Sequence, residues 1–367
     1  MLSLCPSKNL LLKNKGYPLF KNNNYTLSEI KTNILSGITV ALAMVPEAIA
    51  FALIAHVSPL TGLYAAIIVC LITAFFGGRP GMISGATGAL AVVMVALVVE
   101  HGVEFLFATV VLMGILQAIF ALLKLGKFIR MVPYPVMLGF VNGLAIVIFM
   151  AQFGHFKEIS PDGDAIWMTG LPLITMISLT FITVAIIYIF PLITKAFPSS
   201  LASIIIVSSI VGLMGLDTKT VGDLGSIGGS LPEFKIPEIP YNFDTLIIIF
   251  PYAFLLACIG LIETLLTLNL IDDMTDTRGR PNKESLAQGL ANIITGFFGG
   301  MGGCAMIGQS MININNGALR RLSGIATAVF LAAFILFLSS WIELIPLAAL
   351  IGVMFVVAEK TFEWGSL

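Results

Sequence analysis

Two carboxylates, Glu47 and Glu263, lie well inside long apolar runs of the 367-residue sequence. A charge at the centre of a bilayer costs several kcal/mol, so an acid placed there is a functional candidate by default. Either could take up and release a proton during a cycle; the plainer alternative is a structural hydrogen bond to a neighbouring helix. Thr267 follows Glu263 by one helical turn, on the same face. Two glycine-rich stretches supply the other half of a possible site. Gly299 to Asn315 has four glycines in its first five residues, and Phe76 to Gly88 has the same character, followed by the apolar run Ala89 to Val99. Backbone unwound at membrane depth is tolerated only where it is buried in protein or lines a watery cavity. Two interrupted segments in separate halves of a chain mark a binding site made from half-helices, whose free N–H groups and positive dipole ends favour an anion. Glycine seams for close helix packing are the competing account.

The elements that must hold these groups are membrane spans. The chain is 58% hydrophobic and only 11% charged, against about a quarter charged in soluble proteins. Many windows exceed the 18 or so apolar residues of a spanning helix, which excludes a soluble enzyme with a large core. A net charge of −1 argues against nucleic acid as a partner; the lipid bilayer is one. Thr26 and Glu29 form a capping-box pattern, which predicts a short interfacial helix before the first span. That span runs from about Ile34 to Ala55, interrupted at Pro46 and Glu47. Leu63 to Phe76, Thr87 to Val99, Phe105 to Leu123, Pro133 to Phe153, Leu171 to Phe190 and Leu201 to Leu216 follow as spans two to seven. A polar loop, 217–244, divides the chain. Beyond it come Thr245 to Asn269, interrupted at Glu263, then Leu286 to Phe298, the glycine-rich element, Leu322 to Leu338 and Ile345 to Ala358.

With the N-terminus inside, sixteen of the nineteen lysines and arginines fall on the inner side, leaving Lys157, Lys219 and Lys235 outside. This count puts the N-terminal segment, 1–33, in the cytoplasm; the expected location is multi-pass in a bacterial inner membrane. Lys124, Lys127 and Arg130 read as a topology anchor, and 272–276, rich in aspartate, as a solvated loop. His56, His101 and His155 each follow a span on the outer side, more simply interfacial than sensors. Cys5, Cys70, Cys258 and Cys304 show no paired spacing and read as small core residues.

Several runs resemble the SulP family of sulfate permeases and bicarbonate transporters. They are Gly37 to Ala50 with its Pro46-Glu47, the Gly62-Leu63-Tyr64 turn, Ile262 to Leu266, Ala287 to Asn292, and Gly296 to Gly300. The resemblance implies an all-α polytopic fold built as a seven-plus-seven inverted repeat, with about twelve of the fourteen spans present in these residues. It implies a core domain over 34–130 and 245–340 and a gate domain over 131–216 and the shortened 341–367. The core would move against the gate like an elevator. Members usually form homodimers and carry a cytoplasmic STAS domain, which is not expected within this sequence. An inorganic oxyanion would lie between the starts of spans three and ten, against Thr87, Gly88 and Ala89 and against Ala305, Met306, Ile307, Gly308 and Gln309. The coupling ion, H+ or Na+, would use Glu47, Glu263 and Thr267, with sodium at Glu263, Thr267 and Ala305; no other cofactor is implied. Where the sodium-coupled branch has a threonine this chain has Ile307, which favours a proton. Where many eukaryotic members have a basic residue it has Gln309, leaving dipoles and hydroxyls to hold the anion.

Three readings compete: a cation-coupled transporter of sulfate or bicarbonate, a nucleobase permease of the same architecture, and a non-transporting or truncated membrane homologue. The first fits the two acids and paired half-helices best.

Overall fold

The computed structural model describes residues 26–124, 134–159, 165–194, 198–224 and 230–366. Residues 1–25, with their lysines, and Lys127, Arg130 and Lys195 of the proposed inner-face charges lie outside them. The helices are α1 (Leu27–Ile54), α2 (Pro59–Phe76), α3 (Gly88–His101), α4 (Val103–Leu122), α5 (Tyr134–Ala151) and α6 (Leu171–Ile193). They continue with α7 (Ser199–Met214), α8 (Phe243–Thr275), α9 (Pro281–Phe297), α10 (Ile307–Asn315), α11 (Arg321–Glu343) and α12 (Leu347–Thr361). Among the described residues six of them are long and apolar enough to cross a membrane. Among the described residues there are also four short strands: β1 (Ser84–Gly85), β2 (Lys157–Ile159), β3 (Ala165–Trp167) and β4 (Cys304–Ala305).

The capping box forms: Thr26 Oγ1 accepts from the Glu29 N–H at 3.2 Å, and the Thr26 N–H donates back to Glu29 at 3.0 Å. It does not open a separate interfacial helix, because α1 continues for 28 residues through Pro46. α8 likewise runs unbroken through Glu263 for 33 residues, to Asp276 in the left-handed region at φ 50°. Both interruptions expected from the sequence are therefore absent. The neighbouring helices supply enough packing to hold a proline or an acid inside a continuous helix.

Two groups of helices emerge from the packing. In one, α4 lies along α9 and α8, α2 along α9 and α11, and α1 along α11 and α2. In the other, α12 packs on α6 and α5, and α6 on α7. Small residues set the closest approach, as a Cβ built on Gly289 would stand 2.7 Å from the Gly114 carbonyl oxygen. Gly114 and Gly289 lie outside the two glycine-rich stretches for which the seam account is the alternative.

β1 and β4 pair antiparallel, with Ser84 opposite Ala305 and Gly85 opposite Cys304. Each strand ends where a short helix starts, so this one pairing brings the starts of α3 and α10 together. A Cβ on Gly303 would fall 2.2 Å from the Gly85 carbonyl oxygen, so only glycine lets the two backbones cross there.

Candidate functional site

The unwound backbone is held by buried polar side chains. On α9, Gln288 donates to the Gly303 carbonyl at 2.7 Å, while Asn292 accepts from the Gly303 N–H at 2.8 Å and bonds Gln117 of α4 at 2.8 Å. Ser310 of α10 accepts from the Ile83 N–H at 3.0 Å, and Asn313 donates to the Gly81 carbonyl at 2.8 Å. Glu284, in the first turn of α9, accepts from the N–H groups of Gly78 at 2.5 Å and Arg79 at 2.9 Å. Arg79 itself is buried and pairs with Asp272 at 3.0 Å, donating also to Thr277 at 2.9 Å and to Thr275. This corrects the reading of 272–276 as a solvated loop. Asp272 belongs to the last turns of α8 and faces a buried guanidinium, a partner from the other half of the chain that local composition does not reveal.

Neither half-helix is capped by its own side chain. Thr87 stands at the N-cap of α3 and Met306 at that of α10, without a side-chain bond to the first turn in either case. The first-turn N–H groups are therefore left without an intrahelical partner. They meet at a cavity of about 460 Å³ lined by Thr87, Gly88, Ala89, Met306, Ile307, Gly308 and Gln309. Ala43, Glu47 and Phe51 line it from one face of α1, and Glu263 lines it from α8. From the second helix group come Ile148 of α5, Ser199 and Ser200 of α7, and Val353, Val356, Val357, Lys360 and Thr361 of α12. Lys360 is the one cationic side chain among the described lining residues.

Two bridges cross the site. Gln309 donates its amide to Glu47 across the cavity wall. The Cys304 thiol donates to Glu263 at 2.9 Å and lies 3.2 Å from the Thr87 hydroxyl. Thr87 therefore turns to the opposite repeat instead of capping α3. Thr267 and Ala305 are fully buried behind the lining. The Thr267 hydroxyl donates to the Glu263 carbonyl at 2.8 Å and lies 3.4 Å from that of Ala305, while the Ala305 N–H donates to Thr264 at 3.2 Å. The residues named from the sequence are thus gathered in one place. Reading the sequence missed Cys304, taken as a core filler, and Lys360, counted only for topology. Each carried a signal: Cys304 sits inside the glycine-rich stretch, and Lys360 continues the helical spacing of Val353, Val356 and Val357.

The remaining candidates lie elsewhere. His56 is exposed at φ 55°, and His101 stacks near Phe105 at 5.4 Å. Burial, reinforced by His56 and Lys219, lowers the pKa of His155. No cluster of three His, Cys, Asp or Glu capable of holding a metal occurs among the described residues. Cys70, Cys258 and Cys304 are unpaired thiols, and Cys5 lies outside the described residues.

Comparison with known proteins agrees with this architecture. The sequence profile of the Sulfate permease family matches residues 30–366. The putative sulfate transporter YbaR of Bacillus subtilis is 49% identical over 351 residues, 94% of this chain and 71% of that protein. The bicarbonate transporter BicA of Picosynechococcus sp. is 33% identical over 94% of this chain, which spans 64% of the relative's length. The solved transmembrane domain of a cyanobacterial BicA superposes with a TM-score of 0.82 at 31% identity, covering 94% of this chain and 92% of that one. Murine Slc26a9 shares the fold, with a TM-score of 0.76 at 15% identity over 94% of this chain and 62% of that one. Nothing in these relationships supports a nucleobase permease. The chain is a multi-pass integral membrane protein and a member of the sulfate permease family, a family of anion transporters and not of enzymes.

Proposed function

We propose that this protein is a secondary active transporter of a small inorganic oxyanion, sulfate or bicarbonate, coupled to a proton or sodium ion. The observation that carries the reading is the convergence of both half-helix starts with Glu47 and Glu263 on one cavity. Unpaired N–H groups at two helix N-termini hold an anion without a full positive charge. The two acids make its binding depend on a cation, since an ionised carboxylate repels the anion and a neutralised one does not. In this reading Glu47 carries a proton. When ionised it holds the Gln309 amide; when protonated it releases that amide toward the anion. Glu263, Thr267 and Ala305 form the alternative coupling site for sodium. The apolar Ile307 beside it favours the proton, because a hydroxyl ligand is missing there.

Translocation follows from the two packing groups. α1–α4 and α8–α11, the core, carry the half-helices and both acids; α5–α7 and α12, the gate, form the facing wall. Movement of the core against the gate would expose the cavity to each side in turn. A cytoplasmic N-terminus in a bacterial inner membrane and assembly as a homodimer belong to the same reading. The test is uptake of labelled sulfate and bicarbonate into proteoliposomes, with proton and sodium gradients imposed separately and labelled uracil as a third arm. Accumulation of an oxyanion driven by one gradient is expected. Uptake of uracil alone, or of nothing, would overturn the assignment.

A further inference from the structure

We propose that Lys360 is a capture site for the transported oxyanion at the mouth of the cavity; this rests on the transport reading above. Val353, Val356, Val357, Lys360 and Thr361 recur at the spacing of a single helix face, and all line the cavity. That face is apolar at Val353 and ends, two turns or about 10 Å of helix rise further on, in an exposed ammonium. Lys360 has no hydrogen-bond or ion-pair partner among the described residues. The adjacent acid forms no ion pair with it: Glu359 lies about 100° away around α12 and accepts from the Tyr188 hydroxyl of α6 at 2.9 Å. The other charged groups on the lining, Glu47 and Glu263, are acids. Without Lys360 an approaching anion would meet a field set by two carboxylates before reaching the half-helix N–H groups. An exposed ammonium is a compact charge that attracts an oxyanion and releases it readily, which suits a way station better than a storage site.

The experiment measures KM and kcat for labelled sulfate and bicarbonate in oriented proteoliposomes, from the face that carries Lys360. Lys360→Gln should raise KM at that face by roughly two- to fivefold, the size of an exposed charge contact. Lys360→Glu should raise it further, Lys360→Arg should stay near wild type, and kcat should change little in all three. The differences should shrink with salt, because the Debye length falls from about 10 Å at 0.1 M to about 3 Å at 1 M. In Lys360→Cys, a membrane-impermeant thiol reagent carrying positive charge should restore KM, and one carrying negative charge should worsen it. Equal effects of the two reagents, or a wild-type KM in Lys360→Glu, would overturn the capture role while leaving the transport assignment standing. Failure of the wild-type protein to move any oxyanion in the same vesicles would remove both.

Discussion

Glu47 and Glu263 reach the same cavity by different routes, and the difference separates their expected phenotypes. Glu47 meets a neutral amide, Gln309, that belongs to the anion-facing turn of α10. Protonation of Glu47 and anion binding should therefore favour each other, a coupling typically worth about 1–3 kcal/mol. The sign is fixed: uptake rises as pH falls. Glu47→Gln, which mimics the protonated acid, should still bind the anion and flatten the pH dependence of initial uptake. A mutant that keeps the wild-type pH profile would return Glu47 to a structural hydrogen bond. Glu263 is tied instead to Cys304 and, through it, to Thr87 at the start of α3. Glu263→Gln should abolish concentrative uptake while leaving thermal stability near wild type; unchanged accumulation would remove Glu263 from coupling. Cys304→Ala takes away the thiol donor and leaves the carboxyl one partner short, a loss of about 1–3 kcal/mol for a buried acceptor. Cys304→Ser keeps a donor. Their pH profiles for uptake should therefore differ, with the serine variant closer to wild type.

At the scale of the element, the glycine-rich stretch before α10 contains glycines with opposite jobs. Gly303 is a crossing point, where a Cβ would sit 2.2 Å from the Gly85 carbonyl oxygen. Gly303→Ala must push β1 and β4 apart, at a cost of about 1–3 kcal/mol or more. Lower yield and melting temperature are expected, and wild-type stability would show that the crossing can relax. Gly308 faces open space, since a Cβ there meets no atom within 4 Å. Gly308→Val should fold normally and weaken anion binding by occupying the cavity, not by crowding the backbone. Unchanged affinity in isothermal titration would place the anion elsewhere. The half-helices themselves were legible in the sequence, because a glycine-rich start before a short segment too brief to span has few other uses in a membrane. The continuity of α1 through Pro46 and of α8 through Glu263 was not, because a breaker's local effect is set against packing by helices far away in sequence. Arg79 with Asp272, and Cys304 with Glu263, were hidden for the same reason: each pair is assembled only when the two halves of the chain meet.

At the scale of the molecule, both packing groups line the cavity, and the proposed transport by relative motion requires the contact between them to be temporary. Gly88 at the start of α3 marks that contact. A Cβ built there would lie 2.8 Å from Phe51 Cε1 on α1, within the core, and 2.8 Å from Ile148 Cδ1 on α5, in the gate. Phe51 and Ile148 thus flank the same point of α3 from the two packing groups, and both line the cavity. A van der Waals contact across such a boundary is individually weak, so it can break and re-form without a large barrier. A covalent link in its place could not. Phe51→Cys combined with Ile148→Cys, bridged by a short bis-methanethiosulfonate whose two sulfinate groups leave as each thiolate forms a disulfide, should stop uptake, and reduction should restore it. A pair confined to the gate, Phe149→Cys of α5 with Phe355→Cys of α12, joins surfaces already in close contact, since the two rings lie 5.0 Å apart centre to centre. Bridging it should leave uptake largely unchanged. If the Phe51–Ile148 bridge forms, as seen by a mobility shift, and uptake continues, the two bodies do not move past each other there. Alternating access would then have to come from bending within α3 or α10 while the core and gate stay fixed.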